Sequence, residues 1–371
     1  MKNNKHSRIA IVIGTKAELV KTMPLMIELS KKKDYWFIHT GQHPLGKISE
    51  ELNVKTPDFT LSKEPKISTK FWSKINNNSL IWFVSMIFMI RRKIKEINPK
   101  YVIYHGDTMS TAAASIASSK FLNPEKKWKN VHLEAGLRSG SLFEPFPEEI
   151  SRQISDSFSD TLLAVSDLSE SHLRSEKKSG KIINTGNTIV DAALIASNNS
   201  KKTIRKPKGE YVLINIHRHE NLVNKERLRK IVNILEGTQI NGIWPMHNNT
   251  WHYLKKYKLT KRVKKISNIK ILPLTDYFNF IFLLANCKYL ITDGGSIQEE
   301  SLVFKKPCII LRNKTERQEG LKTGINFLTK LDVNYSKKII DFIENDKIKI
   351  KNFKNPYGEK GLSKKIVEIL E

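Results

Sequence analysis

Short apolar runs alternate along the chain with segments whose apolar residues recur at helical spacing. In the first half, the apolar runs lie at 8–14, 35–41, 101–107, 130–136, 162–166 and 181–187. This alternation is typical of βαβ units that build a parallel sheet. Several of the runs pass directly into Gly, Asp, Thr or Ser. Ligands bind at such carboxyl ends of strands in open α/β sheets, so a binding site is expected at these strand ends.

A second series of runs follows the polar stretch 197–210, which is the best candidate for a linker. The later runs lie at 211–217, 242–247, 269–274, 289–295 and 308–312. The pattern and the chain length predict an α/β protein with two domains, at 1–196 and 208–355, each built on a parallel sheet, with a cleft between them. An amphipathic C-terminal helix within 356–371 is expected to pack back on the N-terminal domain.

The composition of the 371 residues, with 39% hydrophobic and 27% charged, indicates a globular chain rather than a disordered or fibrous one. The 64 Lys and Arg residues exceed the 37 Asp and Glu residues, and a net charge of +27 often indicates a polyanion partner. Most of these cations, however, are lysines scattered among Asn and Ile, and no basic run is interleaved with aromatic residues. We therefore expect no nucleic-acid partner, whereas an acidic small substrate stays open.

The cysteines and the N-terminus bear on the cellular compartment. Cys287 and Cys308 lie in apolar runs without CxxC or Cys/His spacing, so they are expected to be buried and reduced rather than zinc ligands. The N-terminus leads straight into a strand without a signal-peptide pattern. These features predict a cytoplasmic protein.

The most apolar segment, LIWFVSMIFMI at 80–90, has about half the residues that a membrane span requires. We therefore predict no integral membrane segment and interpret 80–90 as a buried helix. The cations of RRKIK at 91–95 leave contact with a membrane surface as the alternative.

The loop GTKAELVK at 14–21 joins the first strand to its helix. It lacks the GxGxxG fingerprint, so a nicotinamide cofactor is not expected. Backbone amides at the helix N-terminus, with Lys16 and Lys21 beside them, would suit a phosphate. The alternative is an ordinary βα turn with surface lysines.

Acidic residues follow two neighbouring strands of the first half. Asp107 comes directly after one strand and precedes a helix rich in small residues, where it could simply cap the helix. Glu134 ends the next strand in the same way, and both side chains would then point into the same crevice. This shared position favours a catalytic interpretation of Asp107.

The stretch HLEAGLRSGSLFEPFPEEISRQ at 132–153 places Glu134, Arg138, Glu148 and Arg152 around a loop stiffened by two prolines. Crowded carboxylates have their pKa values pushed apart, which supplies one base and one acid near neutral pH. The alternative is a salt-bridged surface loop, to which Glu149 and Arg152 in particular could belong.

In the second half, His217 and Arg218 lie just beyond a strand, and His247 ends the next strand. The letters HRHE suggest a metal, but HExxH spacing is absent and a third ligand is hard to name, so no metal is expected.

The segment TDGGSIQEES at 292–301 follows the pattern of strand, glycine-rich turn and helix. It would present the amides of Gly294 and Gly295 and the hydroxyl of Ser296 to an anion. Glu300 would repel a phosphate but can accept hydrogen bonds from ribose hydroxyls. The segment therefore predicts a site for a nucleotide with a sugar.

These motifs together resemble the non-hydrolysing UDP-N-acetylglucosamine 2-epimerases. The resemblance covers nearly the whole chain and runs in order through GTKAELVK, TGQH, HGDT, HLEAGLRSG, PFPEEISRQ, TGNTIVDA, HRHENL, WPMHNN, DGGSIQEE and RNKTERQEG. It implies a GT-B-like fold of two Rossmann-like domains whose parallel sheets face each other across a cleft. Such proteins are commonly homodimers that work without a metal or nicotinamide cofactor.

The resemblance also implies an activity and a set of site residues. Such enzymes remove the C2 proton while UDP leaves C1, form a bound 2-acetamidoglucal, and add UDP back with reprotonation on the other face, which converts UDP-GlcNAc to UDP-ManNAc for surface polysaccharide. The implied catalytic residues are Asp107, Glu134, Glu148 and His217. The implied substrate-binding residues are Lys16, Lys21, His43, Arg138, His247, Gly294, Gly295, Ser296, Glu300 and Arg312.

Two departures from the family pattern put the exact substrate in question. The family's GTRPE is GTKAE here, so Lys16 replaces a forked guanidinium with a point charge. The family's DSGG is DGGS here, which moves the hydroxyl from position 294 to Ser296. A GT-B glycosyltransferase, a nucleotide-sugar-binding regulator without turnover, and a hydrolytic epimerase that releases free ManNAc remain as alternatives.

Overall fold

A computed structural model of the protein describes residues 8–32, 35–63, 77–141, 147–199, 203–348 and 353–371. The chain divides into two compact units, one of residues 1–192 with 357–371 and one of residues 193–356. The predicted domain boundary at 196 falls inside a helix that runs from Ile189 to Asn198, because the helix continues past the end of the first sheet.

The first unit contains a fully parallel sheet of seven strands in the order β3-β2-β1-β4-β5-β6-β7. The strands are β1 (Ile9–Ile13), β2 (Trp36–His39), β3 (Phe59–Thr60), β4 (Tyr101–His105), β5 (Lys129–Ala135), β6 (Thr161–Ala164) and β7 (Lys181–Asn184). The helices are α1 (Lys16–Lys32), α2 (Ile48–Glu51), α3 (Asn77–Ile97), α4 (Met109–Ser118), α5 (Glu148–Phe158), α6 (Asp167–Ser175) and α7 (Ile189–Asn198).

The second unit contains a fully parallel sheet of six strands in the order β10-β9-β8-β11-β12-β13. The strands are β8 (Tyr211–Asn215), β9 (Asn241–Met246), β10 (Ile269–Pro273), β11 (Tyr289–Thr292), β12 (Cys308–Ile310) and β13 (Asn326–Leu328). The helices are α8 (His219–Leu222), α9 (Lys225–Leu235), α10 (Asn248–Lys256), α11 (Thr260–Lys264), α12 (Tyr277–Asn286), α13 (Ile297–Val303), α14 (Gln318–Leu321) and α15 (Val333–Glu344).

All eleven strands indicated by the apolar runs are present, and the α/β class is confirmed. The sequence missed β3 and β13, which have only two and three residues. Both are edge strands in short apolar runs, whereas β12, which also has three residues, lies in a longer apolar run. Cys287 and Cys308 are free and buried, as predicted.

The last helix, α16 (Leu362–Leu370), belongs to the first unit and packs against α1. It buries Ile366, Val367 and Leu370 from its apolar side. The carboxylate of Asp191 accepts hydrogen bonds from the backbone amides of Gly361 and Ser363, each at 2.7 Å. The C-terminal segment is therefore held by both apolar packing and charged hydrogen bonds.

Helix α3 corrects the interpretation of 80–90 as a buried helix. Met86, Ile90 and Ile94 are buried against the sheet and α4, but the opposite side of the helix is open. Ile81 and Phe88 remain 62% and 59% exposed. The reason is that apolar residues surround α3 on all sides between 80 and 90, whereas the first unit covers only one side. Among the described residues, no helix is both long and apolar enough to cross a membrane.

Candidate active site

Each sheet has a position where the strand order changes direction, and the predicted site residues gather there. In the first unit the chain leaves β1 towards β2 and later returns to β4 on the other side of β1. In the second unit β8 and β11 are related in the same way. Because loops diverge at such a point, they leave a crevice at the carboxyl ends of the strands. Asp107 follows β4, whereas His217 and Gly294 follow β8 and β11.

Glu134 occupies a left-handed backbone conformation, with φ of 66°, inside β5. The pairing of β5 with β6 shifts register between Leu133 and Ala135, so Glu134 is the extra residue of a β-bulge. A non-glycine residue in this conformation costs free energy and is often found at functional sites. The bulge turns the Glu134 side chain out of the regular strand alternation.

The Glu134 carboxylate is buried and held by charged and polar donors. Lys21 Nζ lies 2.8 Å from each of its oxygens, and Asn187 Nδ2 donates to Oε2 at 3.1 Å. A Cβ on Gly106 would lie 3.6 Å from Oε1, so the carboxylate is beside the residue that precedes Asp107. The Glu134 carboxylate therefore lies beside the backbone that precedes Asp107, and a crevice shared by the two side chains stays a prediction.

Lys21 corrects part of the first-loop prediction. The sequence places Lys21 beside a phosphate, but its side chain is largely buried and its ammonium group pairs with Glu134. Lys21 is on the second turn of α1, and its side chain reaches Glu134 on β5. Its positive charge therefore pairs with a carboxylate of the same unit.

Glu18, which the sequence did not indicate as a site residue, binds the backbone of the first loop. Glu18 Oε2 accepts the backbone amides of Gly14 and Thr15 at 2.7 Å, and Oε1 accepts the hydroxyls of Thr108 and Thr111 at 2.5 and 2.7 Å. Burial raises the pKa of Glu18, and these four donors oppose the rise. The amides predicted to receive a phosphate thus already have an acceptor. Lys16 is exposed beside them.

Asp107 does not cap α4, because Thr108 is the N-cap and accepts the amide of Thr111. The Asp107 carboxylate instead receives the guanidinium of Arg152. Arg152 is fully buried and also pairs with Glu149, one turn earlier on α5. The alternative of an exposed salt-bridged loop is therefore wrong for Glu149 and Arg152. Residues 142–146, including Glu144 and most of the proline-rich loop, lie outside the described residues.

Glu148 is the first residue of α5 and is partly exposed. Arg138, by contrast, is buried, and its guanidinium contacts residues of the same unit. Its guanidinium forms two hydrogen bonds of 2.7 Å with Glu176, lies 2.8 Å from Asp156, and donates to the Leu137 carbonyl. These anions raise the pKa of Arg138. The prediction of Arg138 as a substrate ligand is corrected to a structural role, because its donors are used within the unit.

In the second unit, Asp293 organises the loop after β8. Its buried carboxylate accepts the backbone amides of His217 and Arg218 at 2.9 and 3.1 Å, and Asn221 Nδ2 at 3.0 Å. Burial raises the pKa of Asp293. The carboxylate therefore fixes the backbone of the HRHEN motif to the end of β11.

His217 and His247 stack on each other, with ring centroids 4.8 Å apart and an interplanar angle of 22°. Burial, assisted by the Arg218 cation, lowers the pKa of His217 to about 4. Burial, assisted by the His217 ring, lowers the pKa of His247 to about 4. Both rings are therefore neutral at pH 7. The described ranges contain no group of three or more His, Cys, Asp or Glu side chains arranged to hold a metal ion.

The turn Gly294–Gly295–Ser296 lies next to His217 and a buried set of charges. A Cβ on Gly294 would come 3.3 Å from His217 Cε1, and one on Gly295 would lie 3.0 to 3.2 Å from Glu316, Arg317 and Arg218. The turn thus leaves no room for larger residues without displacing these groups. Ser296 stands at the N-terminal end of α13, and its side chain makes no cap hydrogen bond.

Arg312 is buried with its Nη1 3.0 Å from Glu316 Oε2. Glu300 is also buried, and its Oε1 accepts the hydroxyl of Tyr277 at 2.9 Å. His43 is exposed beyond β2, where its amide donates to the Gly14 carbonyl. These three residues stay predictions as ligand contacts.

The model of the UDP-N-acetylglucosamine 2-epimerase family matches residues 27–371. The chain belongs to this family. The UDP-N-acetylglucosamine 2-epimerase of Methanocaldococcus jannaschii is 33% identical, and the match covers 98% of each chain. A solved structure of that archaeal enzyme in complex with UDP-GlcNAc and UDP has a TM-score of 0.80 at 32% identity, covering 98% of this chain and 99% of the other.

A second solved structure, the UDP-GlcNAc 2-epimerase of Neisseria meningitidis bound to UDP-GlcNAc, has a TM-score of 0.82 at 27% identity and covers 98% of this chain and 99% of the other. The family recognised from the ordered motifs is thus confirmed, and with it the isomerase class.

In this member of the epimerase family, several residues that contact the candidate site were not predicted from the sequence pattern. Glu18, Asn187, Tyr277 and Asp293 each contact a predicted site residue or its loop. Asn187 and Asp293 had a usable signal, because both follow strands in the motifs TGNT and TDGG. Tyr277 had none, because it begins an apolar helix and its partner Glu300 lies 23 residues later on α13.

Proposed function

We propose that this chain inverts C2 of a UDP-N-acetyl sugar and converts UDP-GlcNAc to UDP-ManNAc. The observation that carries the proposal is the buried Glu134 carboxylate, held by Lys21 beside Asp107 in a chain of the epimerase family. A carboxylate held in a fixed position is the kind of group that acts as a general base. The product serves as a precursor for surface polysaccharide.

The proposed reaction has two halves. In the first, a carboxylate among Asp107, Glu134 and Glu148 takes the C2 proton as the C1–oxygen bond to UDP breaks, which leaves a bound 2-acetamidoglucal. In the second, UDP attacks C1 and an acid of the same set returns a proton to the other face of C2. Two acidic groups are needed because removal and return occur on opposite faces.

The second unit is proposed to bind the nucleotide. His217 is neutral at pH 7 and adjoins Gly294, so it suits a hydrogen bond to the diphosphate rather than an ion pair. Glu300, with one oxygen bonded to Tyr277, is proposed to accept a ribose hydroxyl. Lys16, His43, His247, Ser296 and Arg312 are the remaining proposed contacts.

Incubation with UDP-GlcNAc in D2O, followed by NMR of the sugar, tests the reaction. Epimerisation by elimination must place deuterium at C2 of both epimers, and we expect UDP-ManNAc to accumulate with it. Release of free ManNAc would reveal the hydrolytic reaction. An unchanged C2 proton after long incubation would contradict the proposal and favour a transferase or a binding protein.

We also propose that the protein is a homodimer and that the exposed side of α3 forms its contact. This side presents Leu80, Ile81, Val84 and Phe88, whereas residues 77–90 contain no charged residue. Exposed apolar residues grouped on one side of a helix are typical of a protein interface, whereas the cations that follow at 91–95 make contact with a lipid surface the alternative. The Ser85 hydroxyl already donates to the Ile81 carbonyl, so covering it costs no hydrogen bond.

A charge-exchange experiment tests the proposed dimer. Val84→Lys and Val84→Glu should each give a monomer by light scattering, because like charges would meet across a two-fold axis, and a mixture of the two should recover dimers. Tyr335→Lys, at an exposed position on α15, is the matched control. Dimers that persist in either Val84 variant, or an unaltered protein that is monomeric, would contradict this contact.

The cytoplasm is the proposed compartment. Cys287 and Cys308 support it, because two buried thiols that stay reduced are typical of proteins in a reducing environment.

A further inference from the structure

Asn187 lies between β7 and α7 and is buried at the candidate site of the first unit. Its side-chain amide nitrogen donates to Glu134 Oε2 at 3.1 Å. Its side-chain oxygen accepts the backbone amide of Ile189 at 3.1 Å, and its own backbone amide donates to the Tyr357 carbonyl at 2.9 Å. The side chain is therefore fixed from both ends and has its donor directed at the carboxylate.

The partner of the Asn187 backbone belongs to the C-terminal segment, defined as residues 357–371. Gly186 precedes Asn187 with φ of 77°, and a Cβ there would lie 2.7 Å from the Tyr357 carbonyl oxygen. Only glycine allows this approach without displacing the backbone. The C-terminal segment also packs through α16 on α1, the helix that carries Lys21. It thus contacts the elements that carry Lys21 and Asn187.

We propose that Asn187 is a positioning residue for Glu134 and that the C-terminal segment fixes it in place. The inference rests on the proposed function, in which Glu134 takes part in proton transfer. Glu134 has a strained backbone conformation, which persists only where the surrounding structure imposes it. Lys21 Nζ lies at the same distance from both oxygens, whereas Asn187 donates to Oε2 and so distinguishes the two oxygens. This directional donor favours one orientation of the carboxylate.

Asn187→Asp is the variant that separates positioning from a structural role. The aspartate keeps the oxygen that accepts the Ile189 amide, so the start of α7 is preserved. It loses the donor and places a like charge against Glu134. We expect kcat for C2 exchange in D2O to fall about ten- to a hundredfold, the scale for losing a hydrogen bond to a charged group, while the Kd for UDP-GlcNAc changes less than threefold.

Asn184→Asp is the matched control, because Asn184 Nδ2 also donates to a carboxylate, that of Asp167, at 2.7 Å on the other side of the same turn. Its exchange rate should stay within about twofold of the unaltered protein. Asn187→Ser, which retains a hydroxyl acceptor but cannot reach Glu134, is the second variant in case Asn187→Asp does not fold. It should show the same loss of kcat with an intact thermal midpoint.

The outcomes are distinct. Undiminished exchange in a folded Asn187→Asp or Asn187→Ser protein would overturn this inference alone. A parallel weakening of UDP-GlcNAc binding would also overturn it, because the residue would then contact the substrate. No exchange in the unaltered protein would overturn the proposed function, and this inference with it.

Discussion

The guanidinium of Arg152 joins the carboxylate of Asp107 to α5. Asp107 follows β4, Arg152 is 45 residues later, and the buried guanidinium also holds Glu149. Because one side of Asp107 is occupied by this contact, the orientation of its carboxylate is set before a substrate arrives. Helix α5, which follows the proline-rich stretch, therefore contributes to the candidate site through Arg152.

Asp107→Asn and Glu134→Gln should each lower turnover by at least about a hundredfold, which is the usual effect of removing a positioned acid or base. Each change keeps the shape of the side chain, so UDP-GlcNAc binding measured by calorimetry should survive. Steady-state rates of C2 exchange provide the test. Near-normal rates in either variant would remove that residue from the proton-transfer chemistry.

His217 and His247 should remain neutral well below pH 6, because burial lowers the pKa of each to about 4 from its ordinary value of 6.5. A histidine with a lowered pKa stabilises the folded protein fully above about pH 6.5, and that contribution is lost as the pH falls towards 4. NMR titration of the two ring C–H signals checks the midpoints, with His217→Asn and His247→Gln used for assignment. Midpoints near 6.5 would show that the rings are not desolvated.

Tyr277→Phe should weaken UDP binding about three- to tenfold, because it removes the hydroxyl that fixes Glu300 through a hydrogen bond to a charged group. If Glu300 contacts the ribose, the preference for UDP over 2′-deoxy-UDP should also decrease. Calorimetry with both nucleotides measures the ratio. Tyr335→Phe, on the exposed side of α15, controls for the loss of a hydroxyl. An unchanged ratio would separate Tyr277 from ribose recognition.

Lys16→Ala should raise the Kd for UDP-GlcNAc by about tenfold or more. The amides of Gly14 and Thr15 are already bonded to Glu18, so the Lys16 ammonium group is expected to supply this loop's contact with the diphosphate. Ser296→Ala should cost less, about 1 kcal/mol, as expected for one neutral hydrogen bond. Lys16→Arg restores the family pattern. Tighter UDP-GlcNAc binding would identify an epimerase with a weaker phosphate contact, and weaker binding would indicate a loop shaped for another donor. Equal affinity in all three variants would contradict contact of these loops with the nucleotide.

The amino-acid sequence by itself determined the α/β class, eleven of the thirteen described strands and the family. Each of these depends on local order along the chain: an apolar run of four to eight residues, a turn signal after it, and motifs of fixed spacing. It also determined that Asp107 and Glu134 lie near each other, since both follow neighbouring strands of a parallel sheet.

The tertiary structure alone decided which charges are paired. Lys21 and Glu134 are 113 residues apart, and Arg138 and Glu176 are 38 apart, so no local spacing indicates either ion pair. The structure also decided that Glu18 closes the first loop and that one side of α3 stays exposed. The physical reason is the same in each case. A buried charge must find a partner among whichever segments the fold brings to it, and an apolar helix is buried only where another layer covers it.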